Sequence, residues 1–177
     1  MRTRDSQRSK VYAAEQLFRE RIDKEKQPEL YAFAEDKLEL EELQKLVNHL
    51  VSLAWFKRRW SRVGEIEVRA GGQGRTHACG VRVFGGGVVK LPAWSRTKLV
   101  TLHEVAHVCA FSLEAHGRRF CRTFIELVEH EAGYEAGKLL KKCMDEKRAR
   151  WRKRYKRPDL KGKMPPFVKE AAKPQEK

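Results

Sequence analysis

The sequence lacks any apolar run long enough to cross a bilayer, and its basic N-terminus has no apolar signal-peptide core. We therefore expect a cytoplasmic protein that does not contact membranes. Paired cysteines are also missing, because Cys79, Cys109, Cys121 and Cys143 are scattered without a CxxC motif. This spacing favours reduced thiols over a disulfide framework. No internal repeat is present, and the stretches GGQG and GGG match no phosphate-binding loop.

Acidic residues are outnumbered by basic ones. The chain has 39 lysines and arginines against 24 aspartates and glutamates, a formal net charge of +15. Such an excess favours encounters with polyanions, and it also keeps a small protein soluble. Between residues 145 and 163, ten basic residues accompany three acids, so nucleic acid is a candidate partner of this region. We expect one domain over residues 1–143, and a basic helical extension with a disordered tail over residues 144–177.

The spacing of apolar residues predicts helices on both sides of a region of short strands. The predicted helices cover residues 4–22, 36–55, 96–111, 118–131 and a last one from residue 134 onward. Short alternating runs separated by glycines between residues 65 and 94 predict a small antiparallel sheet. Pro92 indicates either an edge strand or the end of a strand. The order of the elements is typical of an α+β fold.

The stretch KLVTLHEVAHVCAF, residues 98–111, contains an HExxH motif in an apolar helix for which Ser95 is the expected N-cap. Positions four apart share a helical face, so His103 and His107 can offer two imidazole nitrogens to one metal ion, and neutral imidazole suits zinc. Glu104 can accept a proton from a water that the metal activates. The alternative is a chance match on a core helix, but the uncharged flanks favour a metal site.

A catalytic zinc ion needs a third protein ligand. The first candidate is His116, because a histidine followed by glycine just before a helix can turn back against the preceding helix. The second candidate is Glu126 on that next helix, although its direction cannot be read from the sequence pattern. Its apolar neighbours, Phe124 and Leu127 among them, favour His116.

Other polar residues fit less specific roles. His77 and Cys79 lack a second pair of ligands, so a packed strand explains them better than a second metal site. His130 and Tyr134 could steady an oxyanion, but nothing in the sequence places them at the metal, and we expect surface or packing roles. In the stretch WFKRRW, residues 55–60, we expect the tryptophans to enter the core while the cations stay hydrated.

The segment LHEVAHVCAFSLEAHGRRFCRTFIELV, residues 102–128, resembles the core of SprT-like zinc metallopeptidases, in which HExxH precedes a histidine that opens the next helix. Residues 4–18, RDSQRSKVYAAEQLF, and residues 88–107, VVKLPAWSRTKLVTLHEVAH, are more closely similar to a family of small predicted metallohydrolases of actinobacteria and their phages. The resemblance covers most of residues 4–140.

This resemblance implies a zincin-like α+β fold, with the sheet packed against the HExxH helix and flanking helices. It also implies that His103, His107 and His116 bind zinc and that Glu104 is the catalytic base. It implies no particular substrate. The zinc ribbon that usually follows a SprT-type domain is absent, because no paired cysteines follow Cys143.

The motif and the resemblance together predict a zinc-dependent hydrolase, most simply a metallopeptidase that acts on a protein or peptide. An exposed edge strand beside the HExxH helix would let an extended peptide pair with the sheet. The alternative is a nucleic-acid-binding accessory protein with a structural or vestigial zinc site, although the intact Glu104 argues against a vestigial one. The oligomeric state stays open.

Overall fold

The computed structural model describes residues 5–72, 77–110 and 114–152, which form seven α-helices and three β-strands. In chain order these are α1 Arg8–Glu20, α2 Pro28–Glu35, α3 Leu40–Ser52, α4 Ala54–Arg59, β1 Ile66–Ala70, β2 Cys79–Val83, β3 Gly86–Leu91, α5 Lys98–Ala110, α6 Arg118–Ala132 and α7 Tyr134–Glu146. The predicted α+β class is therefore confirmed. None of the described helices is both long and apolar enough to span a bilayer.

The N-terminal half contains more helices than the sequence pattern predicts. The single helix expected over residues 36–55 is wrong in extent, because α2 precedes it and its span is divided between α3 and α4. Pro28 is the first residue of α2, where its fixed φ and missing N–H are tolerated. A capping box formed by Glu39 and Glu42 starts α3, and Leu53 in an extended conformation ends it.

The three strands form one mixed sheet in the order β1-β3-β2. β3 pairs in parallel with β1 and antiparallel with β2, so the prediction of an antiparallel sheet is wrong. The turn after β2 contains Gly85 at φ +75°, and it returns the chain as β3 between the two earlier strands. Alternation of apolar side chains reveals strands, but it does not encode which strands become neighbours.

Pro92 follows directly after β3, which confirms that it ends a strand. The edge-strand interpretation of this stretch is wrong, because β3 is the central strand. The sheet edge that lies beside α5 belongs instead to β2, which packs against α5 and, among the described strands, pairs only with β3. An edge strand next to the HExxH helix is therefore present, one strand earlier than expected.

α5 is the central helix and packs against α2, α6, β2 and β3. Its fully buried side chains include Leu99, Leu102, Val105 and Val108. The helix begins after Thr97, whose Oγ1 accepts a hydrogen bond from the Val100 N–H at 3.2 Å. Ser95 is therefore not the N-cap, since its hydroxyl donates to the Pro92 carbonyl in a 3-10 turn.

The chain folds back on the core after α7. Met144 and Ala149 are buried, and the Arg150 N–H donates to Oε1 of Gln7 at 2.9 Å. The segment 147–152 therefore contacts the beginning of the described chain. Most of the basic region and the whole expected disordered tail, residues 153–177, lie outside the described residues. The domain boundary expected after residue 143 stays a prediction.

Candidate metal centre

Three histidine rings meet beside α5. His103 and His107 lie one turn apart on this helix, and His116 lies just before α6. Nε2 of His103 is 3.2 Å from Nε2 of His107 and 3.3 Å from Nε2 of His116. Ring nitrogens bound about 2.0–2.1 Å from one tetrahedral zinc ion lie roughly 3.3 Å apart. The three histidines that the sequence groups together are thus close enough to bind one metal ion.

Two carboxylates orient two of these rings by binding the Nδ1 atom, on the side of the ring opposite the shared centre. Nδ1 of His103 lies 2.5 Å from Oε1 of Glu15, and Nδ1 of His116 lies 2.5 Å from Oδ2 of Asp5. When Nδ1–H donates to a carboxylate, the lone pair of Nε2 remains available for a metal. Both Nε2 atoms accordingly point to the shared centre.

The sequence analysis missed both carboxylates. Asp5 precedes α1 and gives no pattern, because its partner His116 lies 111 residues away. Glu15 does leave a signal, since it is a buried acid in the apolar stripe of α1 between Val11, Ala14 and Phe18. A carboxylate at a core position needs a buried partner, and histidine is one of the few candidates.

Burial and mutual repulsion keep two of the rings neutral. Burial, then His103 and His116, lower the pKa of His107 to about 2. Burial also lowers the pKa of His116, against the opposing effect of Asp5. Burial disfavours charge on His103, but the Glu15 carboxylate outweighs burial and raises the pKa of this ring. Neutral imidazole is the form that binds metal ions.

Aromatic side chains fix the histidine rings from the sides. The Phe120 ring centroid on α6 is 4.3 Å from that of His107 and 4.8 Å from that of His103. Tyr12 on α1 stacks on His103 with the centroids 5.6 Å apart and the planes inclined by 7°. Tyr12 is 43% exposed, so it marks the side on which the cluster meets solvent. The sequence analysis missed Tyr12 as well.

Glu104 lies on the side of α5 that faces β2, and it is only 5% exposed. Its carboxyl group accepts a hydrogen bond from the Gly80 backbone, which lowers its pKa, but burial outweighs this and raises the pKa overall. The strand approaches so closely that a Cβ atom added to Gly80 would lie 2.0 Å from the Glu104 carbonyl oxygen. Glycine at this position therefore allows the edge strand to reach the carboxyl group.

Glu126, the second candidate for the third ligand, is not at the histidine cluster. Its Oε2 accepts a hydrogen bond from Nε of Arg59 at 2.8 Å, and its Oε1 accepts one from Nη2 at 3.1 Å. Arg122 lies 3.9 Å from the same carboxylate. The face of α6 that meets the histidines instead presents Phe120 and Phe124.

The remaining residues considered from the sequence lie in other environments. The rings of His130 and Trp55 stack with their centroids 4.3 Å apart. The ring of Tyr134 is exposed and lies near two lysines. Within the described ranges, His77 and Cys79 belong to no cluster of metal-binding residues. Over residues 55–60, Phe56 and Trp60 are buried and Trp55 partly buried, whereas the three cations are exposed, which confirms the expected core contact.

Residues distant in sequence hold Asp5 in place. The hydroxyl of Ser6 donates to Oε1 of Glu114 at 2.7 Å. Nη2 of Arg150 donates to the Ser6 hydroxyl at 2.9 Å and to Oε1 of Glu114 at 3.2 Å. Together with the bond from the Arg150 backbone to Gln7, these contacts fix Ser6 and Gln7, which directly follow Asp5. The segment 147–152 therefore supports the carboxylate behind His116.

Comparison of the chain with protein-family models, curated proteins and solved structures finds no match. The resemblance to SprT-like metallopeptidases accordingly stays a prediction.

Proposed function

We propose that this protein is a zinc-dependent hydrolase, most simply a metallopeptidase with a zincin-like arrangement of helix and edge strand. His103, His107 and His116 hold the zinc ion, and Glu104 is the general base. The observation that carries the proposal is the convergence of three Nε2 atoms, two of them on rings held by carboxylates, with the buried Glu104 next to His103 on α5.

The donor set fits zinc. Neutral imidazole is a preferred zinc ligand, and catalytic zinc sites use three protein ligands whereas structural sites use four. Three candidate ligands converge in the part of the chain that the structure describes, which supports a site with a position left for substrate. When bound, zinc supplies a Lewis acid that polarises a carbonyl group and lowers the pKa of water.

The protein supplies the proton transfers and the orientation of the rings. Glu104 accepts the proton of the attacking water and then delivers it to the leaving amine. The Gly80 N–H, by donating to the Glu104 carboxyl group, holds this base between α5 and β2. Glu15 and Asp5 hold the imidazoles with Nε2 directed inward.

The edge of β2 that pairs with no other described strand supports a polypeptide as the substrate. This strand contacts α5 at Glu104, and its side chains Val81 and Val83 are about half exposed. An extended peptide that pairs with the edge gains backbone hydrogen bonds and passes beside the general base.

Two comparisons on the full-length chain test the proposal. His116→Ala should abolish zinc binding, measured by mass spectrometry of the metal content after reconstitution, whereas Glu126→Ala should retain it. Glu104→Gln should retain zinc but lose hydrolysis of fluorescein-labelled casein, because an amide cannot accept the proton. A wild-type chain that takes up no zinc would refute the metal site. Casein hydrolysis at the wild-type rate by Glu104→Gln would refute the base.

A further inference from the structure

A second concave site lies at the C-terminal end of α5, lined by the end of α4 and the residues after it, by β2 and by α6. It has a volume of about 640 Å³. Cys109 and Thr123, from α5 and α6, belong to its wall. β2 and α6 both pack on α5, and the site occupies the space between them.

The wall of this site, which we call the arginine pocket, is strongly cationic. Six arginines line it: Arg59, Arg62, Arg82, Arg118, Arg119 and Arg122. No acidic residue lines it within the described ranges. The Glu126 carboxylate, outside the lining, pairs with two of the six. Positive charge therefore exceeds negative charge by a wide margin around a space large enough for one or two side chains.

One arginine presents a donor without a partner. Nε of Arg118 is buried, and no residue in the described part of the chain accepts its hydrogen bond. A buried donor left unsatisfied costs free energy, so a movement of the Arg118 guanidinium that brings Nε to an acceptor in the pocket would be favourable. Arg59 shows the geometry such an acceptor can take, since its guanidinium binds both oxygens of Glu126 side by side.

The composition of the pocket favours carboxylates over nucleic acid. Sites for single-stranded nucleic acid combine cations with exposed aromatic rings on which bases stack. The aromatic residue in the wall, Trp60, is buried. A duplex is too wide to enter a pocket of this size. Arginine forks without a stacking surface match the paired oxygens of aspartate and glutamate.

The arginine pocket adjoins the proposed substrate path through Arg82. This residue belongs to the edge strand β2, two positions after Gly80, which contacts Glu104. Arg82 pairs in register with Gly87, which lies against Val108 near the end of α5. A polypeptide paired with the edge of β2 therefore runs from the general base toward the pocket.

We propose that the arginine pocket binds acidic side chains of the polypeptide substrate, so that the enzyme selects segments rich in aspartate or glutamate near the cleaved bond. This inference rests on the proposed function, because it takes β2 as the substrate-binding edge.

Binding of a labelled peptide to the Glu104→Gln protein tests the inference without hydrolysis. We expect a fluorescein-labelled glutamate-rich peptide to bind at least about tenfold more tightly than its glutamine counterpart in fluorescence anisotropy. Combining Arg82→Gln with Arg118→Gln should remove about tenfold of this affinity. Arg58→Gln, an exposed arginine of α4 outside the pocket wall, should change it by less than about twofold.

Zinc content and melting temperature establish that the double variant is folded. If the double variant is not folded, Arg62→Gln combined with Arg119→Gln, both at exposed positions of the wall, should give the same loss of affinity.

Equal binding of the glutamate-rich and glutamine peptides would overturn the inference. Pocket-dependent binding of a single-stranded oligonucleotide in place of the acidic peptide would overturn it as well. If the wild type hydrolyses peptides without preference for acidic segments, the proposed role of the arginine pocket is refuted but the hydrolase function is not. If acidic peptides bind in the pocket but no hydrolysis is found, the hydrolase function is refuted but acidic binding in the pocket is not.

Discussion

The carboxylate behind His103 gives the sharpest quantitative test of the metal centre. Glu15→Gln keeps the size of the side chain and an oxygen that can accept from Nδ1–H, but it removes the negative charge. The Glu15 side chain is 6% exposed and its oxygen lies 2.5 Å from Nδ1, so solvent screens little of this interaction. Loss of such a partner typically lowers metal affinity about 10–100-fold, which corresponds to about 1.4–2.8 kcal/mol.

Asp5→Asn should have a smaller effect, at the lower end of this range, because the Asp5 side chain is 22% exposed. Zinc affinity would be measured by competition with a fluorescent chelator at one fixed pH, and the melting temperature of each zinc-free protein would report its folding. Glu20→Gln, on the exposed side of α1, is the matched control and should bind zinc as the wild type does.

Wild-type zinc affinity of the folded Glu15→Gln protein would refute the role of this carboxylate. Equal weakening of zinc binding by Glu20→Gln and Glu15→Gln would refute it as well, because the effect would then reflect net charge.

Three further predictions concern the surroundings of the site. Arg150→Gln should weaken zinc binding about threefold to tenfold, because it loosens the segment that carries Asp5. Arg152→Gln should leave zinc affinity in the chelator titration unchanged. Equal effects of the two changes would show that Arg150 does not hold Asp5 in place. Gly80→Ala should lower the free energy of unfolding by about 1–3 kcal/mol in urea titrations of the zinc-free protein, because the new methyl group collides with the α5 backbone. An unchanged midpoint of urea unfolding would contradict the close approach of β2 to α5. Burial raises the pKa of Cys121 to about 12, so this thiol should not react with iodoacetamide at pH near 8 until the chain unfolds, as mass spectrometry of the labelled peptides will show. Rapid labelling of Cys121 in the native protein would contradict this.

The sequence predicts those parts of the site that depend on short-range spacing. His103 and His107 follow from the helical repeat, and the glycine after His116 indicated a turn toward them. The partners of these rings could not be predicted in the same way. Asp5 and Glu15 reach them only when α1 packs beside α5, and no local pattern encodes that contact.

The fold shows the same division between local and distant information. Apolar spacing located α5, α6 and the three strands within a few residues. The prediction of an antiparallel sheet was wrong because the direction of pairing depends on the whole sheet. α2 was not predicted because proline usually interrupts a helix, although it is favourable in the first helical turn, where Pro28 lies.

The contacts of Arg150 with Ser6 and Gln7 have a consequence for biosynthesis. They join residues that are 144 and 143 positions apart. The segment that carries Asp5 is therefore held in place only after nearly the entire described chain has left the ribosome. A nascent chain that stops before Arg150 lacks these contacts. Binding of the proposed zinc ion with full affinity would therefore come late in synthesis. For the proposed metallopeptidase, this order of assembly would keep the zinc affinity below its final value while unfolded segments of the chain are exposed.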